Sequence, residues 1–190
     1  MTSGTRGRPR SSSRSALADA ATELFLERGF GATSVDDIAS RAGVSRATFF
    51  NYFPTKSDVL WVEVDQAIGR LEVLLTGGVL LGAALFRITR IGTLTAMPLI
   101  ATQSEAMQVE PDMRREGGAR IALLAAAIDQ AGVVPEDVWY VTAALVRSGI
   151  QWVRAGTTRR ELWVYLEEEM GRLHPLISSH TAELLSYTEG

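Results

Sequence analysis

Several residue types are rare or absent in this 190-residue sequence, and each absence excludes a class of chemistry. Cysteine is absent, which excludes disulfide scaffolds, thiolate zinc sites and cysteine nucleophiles. The two histidines, His174 and His180, lie near the end of the sequence and form no recognisable metal-binding motif. An enzyme needs a positioned acid, base, nucleophile or metal. We therefore expect no enzymatic activity, no metal site and no cofactor.

Long hydrophobic runs are also missing. The longest uncharged stretches, residues 73–86 and 91–104, fall well short of the roughly 20 residues needed to span a bilayer. The sequence does not open on a basic segment followed by an apolar one, as a secretion signal does. We therefore expect a cytoplasmic protein with no membrane partner.

Strand signals are absent too, since we find no alternating apolar run and no Asn-Gly hairpin. Apolar residues instead recur at helical spacing between glycine and proline boundaries. The predicted class is all-α, with helices over residues 14–28, 56–75, 111–130, 135–155 and 158–177 and two more between 78 and 108. We divide the chain into a disordered basic arm (1–13), a three-helix DNA-binding domain (14–58) and a helical effector-binding and dimerisation domain (59–190).

Residues 32–58 carry the most informative pattern, two short helices joined by a tight turn and followed by a third. Ser34 and Asp37 have the spacing of a capping box, and Gly43 supplies the permissive backbone of a helix end. Ser45 is placed to cap the next helix, which Pro54 terminates. This layout predicts a helix-turn-helix that reads DNA. A compact three-helix hairpin with an aromatic core is the alternative interpretation.

The second helix of this unit has an apolar side and a polar side. At about 100° per residue, Phe49 and Phe53 share one face, which we expect to be buried, and Ala47 and Asn51 lie opposite. Asn pairs with adenine and a small side chain can contact a thymine methyl, so this side suits the major groove. Residues 1–60 carry a net charge of +2 and residues 61–190 carry −5, which places the DNA-facing charge in the first lobe.

The segments 23–39 (ELFLERGFGATSVDDIA) and 42–60 (AGVSRATFFNYFPTKSDVL) resemble the N-terminal domain of TetR-type transcriptional regulators. The resemblance implies that Arg46, Ala47 and Asn51 meet bases, and that Thr48, Phe50, Tyr52 and Lys56 meet phosphates. Phe50 stands where the family usually has Tyr, so it lacks the phenolic donor, which Tyr52 could supply instead. The complete predicted DNA-binding set is Ser34, Ser45, Arg46, Ala47, Thr48, Phe50, Asn51, Tyr52 and Lys56.

The middle of the chain is a candidate effector chamber, because apolar side chains are mixed there with a few polar ones. The predicted lining is Trp61, Phe86, Arg90, Met97, Ile100, Gln103, Met107, Leu124 and Trp139. Ordinary core packing is the alternative for each of them. Residues 48–61 (TFFNYFPTKSDVLW) are also similar to regulators associated with mycofactocin gene clusters, which implies a fatty acyl thioester or another hydrophobic metabolite as effector.

The last two long helices carry apolar stripes that could pack against a second copy as a four-helix bundle. The predicted dimer residues are Val141, Leu145, Trp152, Leu162, Leu166 and Met170, with intrachain core as the alternative. The resemblance thus implies a ligand-responsive regulator, in our hypothesis a repressor, that binds a palindromic operator in double-stranded DNA as a homodimer. The alternative is a dimeric DNA-binding regulator without a metabolite effector.

Overall fold

The computed structural model describes residues 10–90, 111–155 and 160–186. Within those ranges the chain forms nine α-helices and one 3₁₀ turn, and no strand. The all-α class is therefore confirmed. No helix in these ranges is both long enough and apolar enough to cross a membrane.

The first lobe consists of α1 (Arg10–Arg28), α2 (Val35–Arg41) and α3 (Arg46–Phe50), followed by a 3₁₀ turn (Ser57–Trp61). Their buried faces meet in one apolar cluster, to which α1 contributes Leu17, Leu24 and Phe25 and α2 contributes Ile38. The helix α1 begins at Arg10, four residues before the predicted start at Arg14. Residues 10–13 are therefore helical rather than part of a disordered arm. Residues 1–9, the rest of that predicted arm, lie outside the described residues.

Local signals set the ends of these short helices. Ser34 and Asp37 form the predicted capping box, and Gly43 has a φ of +69° at the turn between α2 and α3, which suits a residue without Cβ. Thr55 and Asp58 repeat the pattern at the 3₁₀ turn, with the Thr55 N–H donating to the Asp58 carboxylate at 2.7 Å. The predicted caps of α2 and α3, Ser34 and Ser45, are confirmed.

The second lobe consists of α4 (Val62–Thr76), α5 (Leu81–Arg90), α6 (Pro111–Gln130), α7 (Pro135–Arg154), α8 (Leu162–Leu173) and α9 (Ser179–Leu185). The prolines open α6 and α7 as predicted. The last predicted helix is shorter than expected, and the sequence analysis missed α9, which Ser178 caps through its hydroxyl.

The second lobe has its own apolar core. It is built around Leu71 of α4, Leu85 of α5, Ile128 of α6, Val141 of α7 and Leu166 of α8. In this lobe α7 packs against α6 and α8, and α5 packs against α4, α8 and α9. The helix α4 follows directly from the 3₁₀ turn of the first lobe and packs against α5 and α6, so it connects the two lobes.

Candidate nucleic-acid interface

Two aromatic side chains anchor α3 to the first lobe. Phe49 is fully buried and Phe53 is 1 % exposed, and their ring centroids lie 5.5 Å apart. The Phe53 N–H donates to the Phe49 carbonyl at 3.0 Å, so helical bonding continues beyond the formal end of α3 and stops before Pro54. The helix is thereby held by one face, as the spacing of the phenylalanines predicted.

The opposite face of α3 is open to solvent. Ala47 and Asn51 are exposed, and Thr48 and Tyr52 on one flank are half-buried. The Asn51 N–H donates to the Ala47 carbonyl at 3.1 Å, which keeps the two residues on adjacent turns. A small side chain and an amide on the bare side of an anchored helix can approach base edges in a major groove.

The hydroxyls of Ser34 and Ser45 act mainly in helix capping. Ser34 Oγ donates to the Asp37 carboxylate at 2.6 Å and accepts the Asp37 N–H at 3.1 Å. Hydrogen bonds from the Ser34 side chain and backbone hold the pKa of Asp37 below its ordinary value. Ser45 Oγ accepts the Thr48 N–H at 3.1 Å and lies 2.8 Å from the Thr48 hydroxyl. Both serines are exposed and thus stand at the surface around α3.

Arg46, at the start of α3, makes contacts that the sequence analysis did not foresee. Its Nη1 donates to Asp36 of α2 at 2.7 Å, and its guanidinium lies over the Phe50 ring at 5.3 Å from the centroid. Phe50 is 43 % exposed, and its ring meets that of Phe49 edge to face. Phe50 therefore serves as an apolar support for a charged side chain.

The ammonium of Lys56 has partners within the first lobe. Its Nζ donates to the carbonyl oxygens of Phe30 at 2.7 Å and Thr33 at 2.9 Å, and it lies 3.9 Å from the centre of the Phe30 ring. The ammonium therefore bridges two carbonyls of the loop between α1 and α2. Lys56 thus has a structural role in the first lobe, and its contact with a phosphate stays a prediction.

The residues predicted to line an effector chamber are spread over separate places. Trp61 is 5 % exposed and its Nε1 donates to Glu116 of α6 at 3.0 Å. Phe86 of α5 packs edge to face against Trp163 of α8 at 4.8 Å. Arg90 lies over the Phe86 ring and pairs with Glu161 at 3.6 Å.

Other members of that set fall elsewhere. Leu124 is half-buried against the core of the second lobe. Trp139 is 62 % exposed on α7, so its assignment to an enclosed chamber is wrong. Met97, Ile100, Gln103 and Met107 lie outside the described residues. A shallow cavity of about 80 Å³ does lie between α4 and α6, but none of the predicted residues lines it.

The predicted dimer stripe belongs mostly to the interior of one chain. Val141 and Leu166 are fully buried in the core of the second lobe, and Leu145 and Met170 pack against it. Leu162 is 9 % exposed, and the Trp152 Nε1 donates to the Arg160 carbonyl at 2.9 Å. The alternative, intrachain core, is correct for Val141 and Leu166, since a side chain with no exposed area cannot meet a second copy.

The structure reveals a different apolar stripe on α7. Trp139 and Ile150 are 62 % and 41 % exposed, and Ala143 and Val146 lie between them on the same face. With about 100° per residue, these four residues lie on the side of α7 opposite the buried stripe. The sequence shows that α7 has two apolar faces, but it does not indicate which of them is buried within one chain.

An anchored short helix with an open polar face, preceded by a second helix across a tight turn, is the arrangement found in helix-turn-helix DNA-binding domains. Residues 17–60 match the family model described as bacterial regulatory proteins, tetR family. Residues 17–60 are therefore similar to the DNA-binding domain of the TetR family, and the resemblance seen in the sequence is confirmed for this segment.

Similar sequences are named as transcriptional regulators, not as enzymes. One is MftR of Mycobacterium tuberculosis, a candidate mycofactocin biosynthesis regulator, 41 % identical over 69 residues that cover 36 % of this chain and 35 % of MftR. Another is EthR of Mycolicibacterium smegmatis, 42 % identical over 66 residues that cover 34 % of this chain and 30 % of EthR. The matched segments span about a third of the length of these relatives.

Similar solved structures extend over nearly the whole chain. FadR of Thermus thermophilus, a TetR-family repressor in complex with lauroyl-CoA, is 26 % identical with a TM-score of 0.56, covering 93 % of this chain and 97 % of FadR. NalD of Pseudomonas aeruginosa, the secondary repressor of a multidrug efflux pump, is 18 % identical with a TM-score of 0.55, covering 90 % of this chain and 99 % of NalD. The NalD likeness concerns the fold alone.

Proposed function

We propose that the protein is a one-component repressor that binds a palindromic operator as a homodimer and leaves it when a hydrophobic effector binds the second lobe. The observation that carries the DNA-binding part is the anchoring of α3 by Phe49 and Phe53, with Ala47 and Asn51 left exposed on the opposite face. In this role Asn51 and Arg46 contact base edges, and Thr48 and Tyr52 contact phosphates.

A dimer is required because one short reading helix buries too little surface for specific binding, whereas two helices on paired half-sites act together. The apolar stripe Trp139–Ala143–Val146–Ile150 of α7 supports this requirement, because its residues recur every three or four positions on an exposed face. The same stripe of a second copy can cover it, as in a four-helix bundle. The interface thus uses the face of α7 opposite the one that the sequence analysis chose.

Two clusters of contacts support coupling between the second lobe and the reading heads, which are the α3 helices of the two subunits. Glu116 of α6 accepts hydrogen bonds from Ser57 and Trp61 at 3.1 and 3.0 Å. One turn later, Arg120 makes a two-pronged ion pair with Asp65 of α4 at 2.8 and 3.0 Å. An effector that displaces α6 therefore pulls on the start of α4 and changes the spacing of the two reading heads. It releases DNA only if it prefers the spacing that does not fit the operator.

The likeness to FadR, whose structure contains lauroyl-CoA, supports an acyl thioester as the first effector to test. The sequence likeness to MftR is confined to 69 residues and bears on the DNA-binding lobe. The competing function is a dimeric DNA-binding regulator with no metabolite effector. The two are separated by whether an acyl thioester changes DNA affinity.

The DNA-binding part is tested by fluorescence anisotropy with duplexes from the region upstream of the protein's own gene. We expect the wild type to bind one of them in preference to a shuffled duplex. Asn51→Ala should lose about 5- to 150-fold in affinity for that duplex, since a bidentate base contact is worth roughly 1–3 kcal/mol. Gln66→Ala removes an exposed amide from α4 and is the matched control, with no change expected. If wild-type protein binds every upstream duplex no better than shuffled DNA, the proposal fails.

The effector part is tested by adding lauroyl-CoA, with coenzyme A alone as control. A ligand that binds the folded state raises its melting temperature by mass action. We expect lauroyl-CoA to raise the melting temperature and to release the selected duplex, and coenzyme A to do neither. If acyl thioesters, hydrophobic acids and aromatic compounds all leave both measurements unchanged, the regulator without an effector is the correct function.

A further inference from the structure

The side chain of Arg46 is held from two directions. Its Nη1 donates to Asp36 Oδ2 at 2.7 Å, and its guanidinium carbon lies 5.3 Å from the centre of the Phe50 ring. These contacts come from different helices, since Asp36 belongs to α2 and Phe50 is the last residue of α3. The guanidinium therefore contacts both helices of the helix-turn-helix.

The support under Arg46 is itself rigid. Phe50 contacts Phe49 edge to face with 5.4 Å between ring centroids, and Phe49 is fully buried. The exposed Phe50 ring is therefore continuous with the core of the first lobe. This explains what a phenylalanine does at a position where a phenolic hydroxyl would otherwise meet a phosphate: it offers a ring face to a cation.

The ion pair contributes little to the fold. The side chains of Arg46 and Asp36 are 57 % and 66 % exposed, and exposed pairs of this kind add little to stability. A carboxylate beside a reading helix also repels phosphates, so Asp36 lowers general affinity for DNA. Because Asp36 adds little to stability and weakens general DNA binding, we take its role to be the orientation of Arg46.

The geometry leaves Arg46 able to recognise a base. A guanidinium has five N–H donors in a planar fork, and the bond to Asp36 uses one of them on Nη1. The edge formed by Nε and Nη2 can still donate to two acceptors. Guanine presents such a pair, O6 and N7, in the major groove.

We propose, on the basis of the DNA-binding function above, that Asp36 and Phe50 position Arg46 to recognise a guanine in each half-site. Asp36 is then a specificity-determining residue that contacts no DNA. Its carboxylate lowers affinity for all sequences and raises discrimination in favour of those with guanine under Arg46, which is how specificity is gained by penalising the wrong partner.

The test is selection from a pool of randomised duplexes, followed by competition binding of duplexes that differ at single positions. Arg46→Ala identifies the guanine by abolishing preference at one position of each half-site. Asp36→Asn keeps the shape of the side chain but removes its charge. We expect it to bind shuffled duplex more tightly and to lose at least about threefold in preference for guanine over adenine there, a fraction of the discrimination that a bidentate arginine supplies.

Two further variants sharpen the result. Phe50→Leu keeps an apolar side chain but removes the ring face, and we expect it to weaken the same guanine preference. Glu23→Gln is the charge-matched control, because it removes one exposed carboxylate from α1 while Arg41 keeps its bonds to Glu27 at 3.0 and 2.8 Å. It should leave the guanine preference unchanged. Circular dichroism of each variant checks that the helices are retained.

The outcomes are distinct. If Arg46→Ala loses the guanine and both Asp36→Asn and Phe50→Leu keep the full preference, the positioning role is wrong while the DNA-binding function stands. If Arg46→Ala selects the same sequence as the wild type, Arg46 is not the reader and the inference is also wrong. A wild-type protein that enriches no sequence removes the proposed function itself.

Discussion

Trp61 donates its indole N–H to the carboxylate of Glu116 at 3.0 Å, across 55 residues of sequence. Trp61 directly precedes α4 and is 5 % exposed, whereas Glu116 lies in the first half of α6. The guanidinium of Arg120 covers the other side of the indole, 4.9 Å from its centre. The two lobes are therefore joined at Trp61, through a hydrogen bond to Glu116 and the stacking of Arg120 on the indole ring.

Removing the carboxylate of Glu116 should destabilise the protein. Glu116→Ala leaves the N–H of Trp61 without its acceptor in a partly buried place, and Ser57 keeps only its bond to Thr55, at a cost of about 1–3 kcal/mol in the free energy of unfolding. Urea denaturation followed by circular dichroism measures this loss. Glu167→Ala, at an exposed position of α8, is the control with little expected effect. Equal stability of the two variants would show that the contact does not join the lobes.

Lys56 gives a second prediction that differs from the one the sequence suggested. Lys56→Met keeps the alkyl stem but removes the donor to the carbonyls of Phe30 and Thr33, so we expect a loss of about 1–3 kcal/mol in stability. The salt dependence of DNA binding should stay close to that of the wild type. A phosphate contact would instead reduce the slope of log K against log salt by about 0.9. A reduced slope with unchanged stability would restore the phosphate role.

Local signals made much of the first lobe predictable from the sequence. Ser34 and Asp37 are three residues apart and form the predicted capping box, and Ser45 caps α3 as predicted. The spacing of Phe49 and Phe53 likewise gave the buried face of α3, because a helix returns to the same side after four residues. Caps and buried helix faces were predictable because the residues that determine them lie within about one helical turn of each other.

The contacts that could not be predicted from the sequence are made with residues far away in the chain or on another helix. Lys56 bonds to carbonyls 26 and 23 residues away, and Arg46 finds Asp36 ten residues back on another helix. For α7 the difficulty was a choice between two apolar faces, which only the positions of α6 and α8 decide. Trp139 was assigned to a chamber for the same reason, since its size and hydrophobicity do not say whether it faces inward.

Close packing of α9 against α5 gives a third prediction. A Cβ on Gly82 would lie 2.8 Å from the carbonyl carbon of Leu185, which is backbone and cannot move without shifting α9. Gly82→Ala should therefore destabilise the protein by about 1–3 kcal/mol. Gly118→Ala in α6 is the matched control: its Cβ meets nothing within 4 Å, and we expect a gain of up to about 1 kcal/mol from helix propensity. Thermal melts of the two variants should shift in opposite directions.

Glu169 predicts how stability depends on pH. Burial would raise the pKa of Glu169, but hydrogen bonds from Gln151 and Arg147 outweigh it, with the charges of Arg147 and Arg172 adding to them, so the pKa lies below its ordinary value. A lowered pKa in the folded state means that the ionised form stabilises the fold above the unfolded pKa of about 4.3, and that this contribution disappears as the pH falls through the folded value.

The measurement compares wild type and Glu169→Gln by urea denaturation between pH 7 and pH 3. We expect the wild type to be the more stable at pH 7 and the difference to shrink below about pH 4. Glu167→Gln, at an exposed position of the same helix, should show no such convergence. A difference that stays constant down to pH 3 would mean that the charge of Glu169 is not the stabilising feature.

The exposed stripe of α7 gives the last prediction. Ile150→Glu places a charge on the proposed interface, where a second copy would bury it unpaired, so the dimer should dissociate. Leu123→Glu is the matched control, because Leu123 is 52 % exposed on α6 rather than on the stripe. Sedimentation equilibrium should show a monomer for Ile150→Glu and a dimer for Leu123→Glu and wild type. Because paired half-sites require two joined reading heads, the monomer should also lose operator affinity while keeping its helical content. If Ile150→Glu remains dimeric, the two copies meet through another surface.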